Sequence, residues 1–145
     1  MASGIARIFI EPGLTVEENT LDFIFGNQFI SLPQNKTGDG ELVFVIEFLE
    51  ESTVQSFPSD YLNFLIPNHP ETLPLLLSLL EYNQLQKLTQ IHSLAHSSAM
   101  ERYLITLKTR PDLFSRVKQR IIASYLGMDS KTLSRIRAKE VRKHH

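Results

Sequence analysis

The chain contains no cysteine. That absence excludes disulfides, thiolate nucleophiles, iron–sulfur clusters and thiolate zinc sites together, leaving histidine, carboxylates and hydroxyls for any chemistry. Long apolar runs are missing too: none approaches the roughly 18 to 20 residues that cross a bilayer, and the first residues lack the basic-then-apolar pattern of a secretory signal. A soluble, cytoplasmic protein without a membrane partner is expected. Basic residues are scarce over the first two thirds. Residues 1–96 hold three (Arg7, Lys36, Lys87) against twelve acidic ones, whereas residues 97–145 hold twelve against four. The formal net charge of -1 over 145 residues is therefore the sum of an acidic part at -9 and a basic part at +8. Such asymmetry points to a polyanion-binding module in the basic part. With 42% hydrophobic and 21% charged residues the chain is globular, one ordinary domain or two small ones.

The first part reads as β-structure. Ile5 to Ile10 and Glu41 to Leu49 are rich in β-branched and aromatic residues and are bounded by turn residues (Pro12-Gly13 after one, Gly38-Asp39-Gly40 before the other). Thr20 to Phe25 and Gln28 to Leu32 flank a tight Gly26-Asn27 turn, and Val54 to Phe57 is a fifth candidate before Pro58. Five short strands are too few for a closed barrel, so the sheet is expected to have open edges covered by helices, by a second chain or by further strands.

After Pro58 the pattern turns helical. Ser59-Asp60 is a helix start, giving a short helix from Ser59 to Leu65 stopped by Pro67 and Pro70. From Leu73 to Ala95, apolar residues in three- and four-residue steps predict a helix of about 25 residues beginning near Pro70. Leu75, Leu79, Tyr82 and Leu85 add a second apolar face, so that one face is expected to pack on the sheet and the other to meet a partner helix. The expected seam of a homodimer runs along Leu73, Leu77, Leu80, Gln84, Leu88 and Ile91. Ser97-Ser98 with Glu101 is a capping-box start for a helix running to about Thr109, before Pro111.

Residues 118–140 carry the most informative pattern. A helix-turn-helix needs a small residue where its helices cross, a glycine able to take a left-handed backbone at the turn, and apolar positions locking both helices to a core. Ala123 is the small residue, Gly127 the turn, and Ile122, Leu126, Met128, Leu133 and Ile136 the buried contacts. Asp129 or Ser130 caps the second helix, whose outward residues are Ser130, Lys131, Ser134 and Arg135, then Arg137, Ala138 and Lys139. Such a helix fits the major groove of duplex DNA. Arg135 is the first choice for a base contact, because a guanidinium binds guanine O6 and N7 in bidentate fashion; Lys131, Ser130 and Ser134 follow. Arg116, Lys118, Arg120, Lys139, Arg142 and Lys143 are expected at phosphates.

These same residues carry a family resemblance. Ile122-Ala123, Leu126-Gly127 and Thr132-Leu133-Ser134-Arg135-Ile136, preceded by Glu101-Arg102-Tyr103-Leu104 and Pro111-Asp112-Leu113, resemble the C-terminal DNA-binding domain of Crp/Fnr-type transcription regulators, especially the branch whose chains end soon after the recognition helix. Further upstream, Gly4 to Ile8 resembles the strand after the first half of a cyclic-nucleotide-binding β-roll, and Leu73 to Ala95 the family's long dimerisation helix. The resemblance implies an α+β fold. A partial antiparallel β-roll with a short helix spans 1–69, a dimerisation and linker helix 70–95, and an all-α helix-turn-helix domain without an evident wing 96–145. It implies a homodimer on palindromic double-stranded DNA, and a small-molecule effector as a further partner class. The sequence departs from the family in three respects: the roll begins at about its fourth strand, Lys131 stands where a glutamate is common, and the phosphate-binding cassette is altered. Gly26 matches that cassette's glycine, but Asn27 replaces its glutamate and the only cation of the loop is Lys36. Cyclic AMP is therefore not expected to bind, and no cofactor is expected.

An enzyme is not expected either. His92 and His96 are four apart on one helix face but lack a third ligand, so no metal site is assigned. The alternative from another class is a protein-interaction module that dimerises with, or inhibits, a full-length relative through the long helix.

Overall fold

Alternation of side chains organises the sheet. The computed structural model describes residues 1, 3–11, 19–30, 43–58 and 60–143. Among these, β1 (Ile5–Glu11), β2 (Asn19–Phe25) and β3 (Val43–Phe48) form an antiparallel sheet in the order β2-β1-β3. Successive β1 residues point to opposite faces. Ile5 joins Phe23 in a core shared with the helices, while Ala6 and Ile8 lie with Ile24 against Leu21, Phe44 and Ile46 on the other face. Buried Arg7 sits directly opposite Phe23 on one side and Glu47 on the other. It pairs with the Glu47 carboxylate, donates to Thr20 Oγ1 at 3.3 Å and stacks over the Phe9 ring at 4.3 Å, so its charge is neutralised where it is desolvated.

Six helices follow: α1 (Tyr61–Asn68), α2 (Thr72–His96), α3 (Ala99–Thr109), α4 (Leu113–Arg116), α5 (Gln119–Tyr125) and α6 (Ser130–Lys143). The fold is mixed α+β. The expected strand at Val54 to Phe57 is not one: the segment has no regular structure, an isolated Ser3–Thr53 bridge is its nearest sheet-like pairing among the described residues, and Phe57 is left 61% exposed against Tyr61. Gln28 to Ile30 is likewise not strand, and residues 31 and 32 lie outside the described residues. The first helix runs past Pro67 to Asn68 rather than ending at Leu65. Pro67 has no N–H to offer Asn63 O, and the end of the helix is closed past it by other donors, Asn68 Nδ2 to Phe64 O at 2.7 Å and His69 N to Leu65 O at 2.8 Å.

The long helix differs most from expectation. No residue of α2 is buried, so neither of its faces packs tightly on the sheet. Leu75, Leu80, Leu85, Leu88 and Ile91 are all more than half exposed. The side turned to the rest of the chain is mixed and loosely packed: Tyr82, Gln86, Gln90 and Leu94 line a cavity of about 670 Å³ with Thr106 and Arg110, and Leu79, Leu80 and Leu88 line another with Ile8, Ile24 and Ile30.

The sheet is joined instead to α3, α4, α5 and α6. Ile5 and Phe23 share one core with Tyr103, Leu113, Val117, Ile122, Ala123, Leu126, Leu133 and Ile136. Phe23 meets the Tyr125 ring edge-on at 5.1 Å between centroids. Three polar ties cross the same seam: Thr20 N donates to Ser124 Oγ at 3.0 Å, Arg110 bonds Asp22 at 3.0 Å and Phe23 O at 3.3 Å, and Arg116 pairs with Glu50. Phe23→Ala should therefore destabilise helices as well as sheet. We expect a loss of about 3–5 kcal/mol, read from the helical circular-dichroism signal in urea.

Candidate nucleic-acid interface

The interface is built on the turn between α5 and α6. Ile122 and Ala123 fix α5 to the core, with Ala123 only 1% exposed at the crossing point. Gly127 then takes φ 61°, and three backbone bonds close the end of the helix: Leu126 N to Ile122 O, Gly127 N to Ser124 O and Met128 N to Ala123 O, each 3.0 Å. The last two form the paired pattern that ends helices at a left-handed residue. Gly127 is the only glycine after Gly40. A side chain at this position would be strained by the positive φ, and its Cβ, 2.9 Å from Leu94 Cδ2, would push that flexible side chain aside.

Asp129, rather than Ser130, caps α6. Its Oδ1 accepts from Thr132 N at 2.8 Å and its Oδ2 from Thr132 Oγ1 at 2.7 Å. These bonds favour the ionised carboxylate, and the Asp129 pKa lies below its ordinary value, with the Thr132 hydroxyl as the largest cause. At the start of α3 the expected capping box is present: Ser98 N donates to Glu101 Oε2 at 2.7 Å and Glu101 N to Ser98 Oγ at 3.3 Å, which likewise lowers the Glu101 pKa. Gln119 Nε2 donates to Ser130 O at 2.9 Å, tying the start of α5 to the start of α6. Tyr125 stands behind this turn, and burial raises its pKa.

Along α6, Leu133 and Ile136 point into the core while Ser130, Lys131, Ser134, Arg135, Ala138, Lys139 and Arg142 are exposed. The four residues expected at base edges therefore share the outward face of the first turns. Arg137, expected outward, is half-buried with its guanidinium 6.0 Å from the Phe114 ring centre. Lys118 and Arg120 are exposed at the start of α5. Arg116 is exposed as well but held by Glu50, with Asp112 3.9 Å away. Lys143 is the last residue of α6, and its side chain lies outside the described residues.

The other expected site residues are spread along α2. Leu73, Leu77, Leu80, Leu88 and Ile91 are 41–62% exposed, and Gln84 is exposed between them. The His92 and His96 rings lie 4.8 Å apart between centres, tilted by 44°, and among the described residues no three His, Asp or Glu side chains gather as metal ligands. In the altered cassette, Asn27 adopts φ 64° in its turn, and Lys36 lies outside the described residues. Among the described residues no helix is long and apolar enough to cross a membrane.

Two arginines stand out that the site assignment from sequence omitted. Arg110 joins sheet to helices, and Arg102 donates to the carbonyls of Ser97, Leu126 and Gly127. Their partners are backbone oxygens or residues far away in the chain, which no local motif reports. No family model matches the chain, and no curated protein is detectably similar to it.

The two caps give a signed pH dependence. Because their folded-state pKa values are lowered, Asp129 and Glu101 contribute stability that is complete above the ordinary carboxylate range and is lost as pH falls through the folded-state values. The thermal midpoint should drop by a few degrees between about pH 6 and about pH 3. In Asp129→Asn, which still caps but cannot titrate, part of that drop should disappear.

Proposed function

We propose that the protein is a homodimeric, DNA-binding transcription regulator of the Crp/Fnr type, in which α5 and α6 form a helix-turn-helix and α6 is the recognition helix. The observation that carries this reading is the outward face of α6. Ser130, Lys131, Ser134 and Arg135 stand exposed together, while Leu133 and Ile136 anchor the opposite side in the core. A helix of 14 residues is about 21 Å long, enough to lie across a groove roughly 12 Å wide. Arg135 reads a guanine, Lys131, Ser130 and Ser134 read neighbouring edges, and Lys118, Arg120, Lys139 and Arg142 meet phosphates, with Arg116 and Lys143 at the margins. The sheet belongs to an effector-type β-roll that does not bind cyclic AMP, and it supports the reading head through the Phe23 seam.

Affinity for duplex DNA carrying half-sites about one helical turn apart should fall steeply with salt. Arg135→Ala should cost about 1–3 kcal/mol at the specific site and relax its sequence preference, whereas Lys118→Ala should weaken all sequences alike. Fluorescence anisotropy on specific and random duplexes separates these. Equal effects of Arg135→Ala on both would exclude base reading.

Homodimerisation through α2 is supported by its exposed apolar side, because more than a few large apolar residues left together in water mark an interaction surface. Leu80→Glu with Leu88→Glu should shift the protein from dimer to monomer in sedimentation velocity. The same surface also favours the second reading, a protein-interaction module. A dimer without affinity for DNA at low salt would select that one.

A further inference from the structure

The last turns of α2 carry two histidines on one face. His92 and His96 are four residues apart, and their rings lie 4.8 Å between centres, tilted by 44°. Two imidazoles on one tetrahedral ion, with metal–nitrogen bonds of about 2.0–2.1 Å, have ring centres about 5 Å apart. The pair thus already has the separation of two ligands on a single cation.

Its surroundings suit a cation. His96 is in the last turn of α2, where unpaired carbonyls make the negative end of the helix. Lys87 is the only Lys or Arg of α2, and it lines the cavity on the sheet side. Two imidazoles still leave a four-coordinate ion half satisfied. Over these turns Gln90, Ser93 and Leu94 face the cavity, which leaves Ile91, His92, Ala95 and His96 exposed on the other side, in line with Leu85. In the homodimer proposed above, whose reading helices share one end, the two α2 helices run parallel. A two-fold axis between them sets each outward residue beside its own copy. His92 then meets His92 of the partner subunit, with the His96 pair one turn further on. The second copy supplies the two nitrogens that the first lacks. A set of imidazoles alone suits zinc, copper or nickel rather than magnesium or calcium.

We propose that His92 and His96 of two copies form a four-imidazole site for a divalent cation of the zinc class, which joins the C-terminal ends of the paired α2 helices. The site rests on the parallel homodimer reading, and its test does not involve DNA.

The test uses the full chain with His144→Gln and His145→Gln in every sample, so that the adjacent histidines at the C-terminus do not compete for metal. Zinc should bind at one ion per two chains in calorimetry, and cobalt(II) in its place should show the strong visible bands of a tetrahedral site. His92→Gln and His96→Gln should each weaken zinc binding about a hundredfold, because one substitution removes two of the four ligands, while His69→Gln should leave it unchanged. At a free zinc concentration ten times the Kd, the dimer should dissociate at about tenfold lower protein concentration in sedimentation velocity. Equal zinc affinity in the parent, His92→Gln and His96→Gln would overturn the site, as would one ion per chain with no effect on dimerisation. The metal-free protein decides the underlying reading separately. A metal-free dimer that ignores zinc keeps the homodimer and rejects the site, whereas a chain that stays monomeric at every zinc concentration rejects both.

Discussion

Phe23 makes one folded unit of two segments with opposite charge and different secondary structure. Its ring is 1% exposed and lies against Tyr125 and the core side of α5. Among the described residues the sheet has three strands and needs a cover for its apolar face, and a set of short helices like α4 and α5 is marginal alone. Each becomes stable by burying the other's apolar face. Everything that depends on accurate placement of α5, including the Gly127 turn and the aim of α6, therefore depends on a residue of β2.

The same seam explains the charge pattern. Acidic residues of the sheet region hold the arginines nearest to it: Glu47 holds Arg7, Asp22 holds Arg110 and Glu50 holds Arg116. The outer face of α6 and the start of α5 lie beyond that reach, and their cations remain exposed. The acidic first part and basic last part are thus partly matched in the folded chain, and the surplus of positive charge is concentrated on the side that α6 presents. A surplus so placed steers a polyanion toward that face and away from the acidic sheet.

What the sequence revealed is mostly what local chemistry fixes. The Ser98–Glu101 box, the left-handed Gly127, the Asp129 cap and the inward Leu133 and Ile136 need only neighbours within a turn, so their spacing suffices to place them. The strands at 5–11 and 19–25 follow from β-branched alternation. What stayed hidden depends on distant partners. Asp22 and Arg110 are 88 residues apart, and Arg102 binds backbone oxygens, which every residue possesses. Periodicity gave α2 its length but not its orientation, because a helix apolar on two sides does not say which side is turned to its own chain. Here Gln86 and Gln90 face inward together with Leu79, Tyr82 and Leu94.

That orientation turns α2 into a lever. With no buried residue and open cavities beneath it, the helix gains little packing energy along its length from the rest of the chain. Its direction is set at its ends, by exposed α1 at one and by the Ser97–Ser98 corner at the other. A helix of 25 residues extends about 37 Å, so a small rotation at the corner becomes a displacement of several ångströms at the far end. The relation also works in reverse. A partner that buries the exposed leucines holds the far end in place, and the corner then has one angle instead of several. Leu94 and Arg102 lie at the near end of the helix, so its exposed apolar residues stand where a covering partner would add the packing that its own chain does not supply.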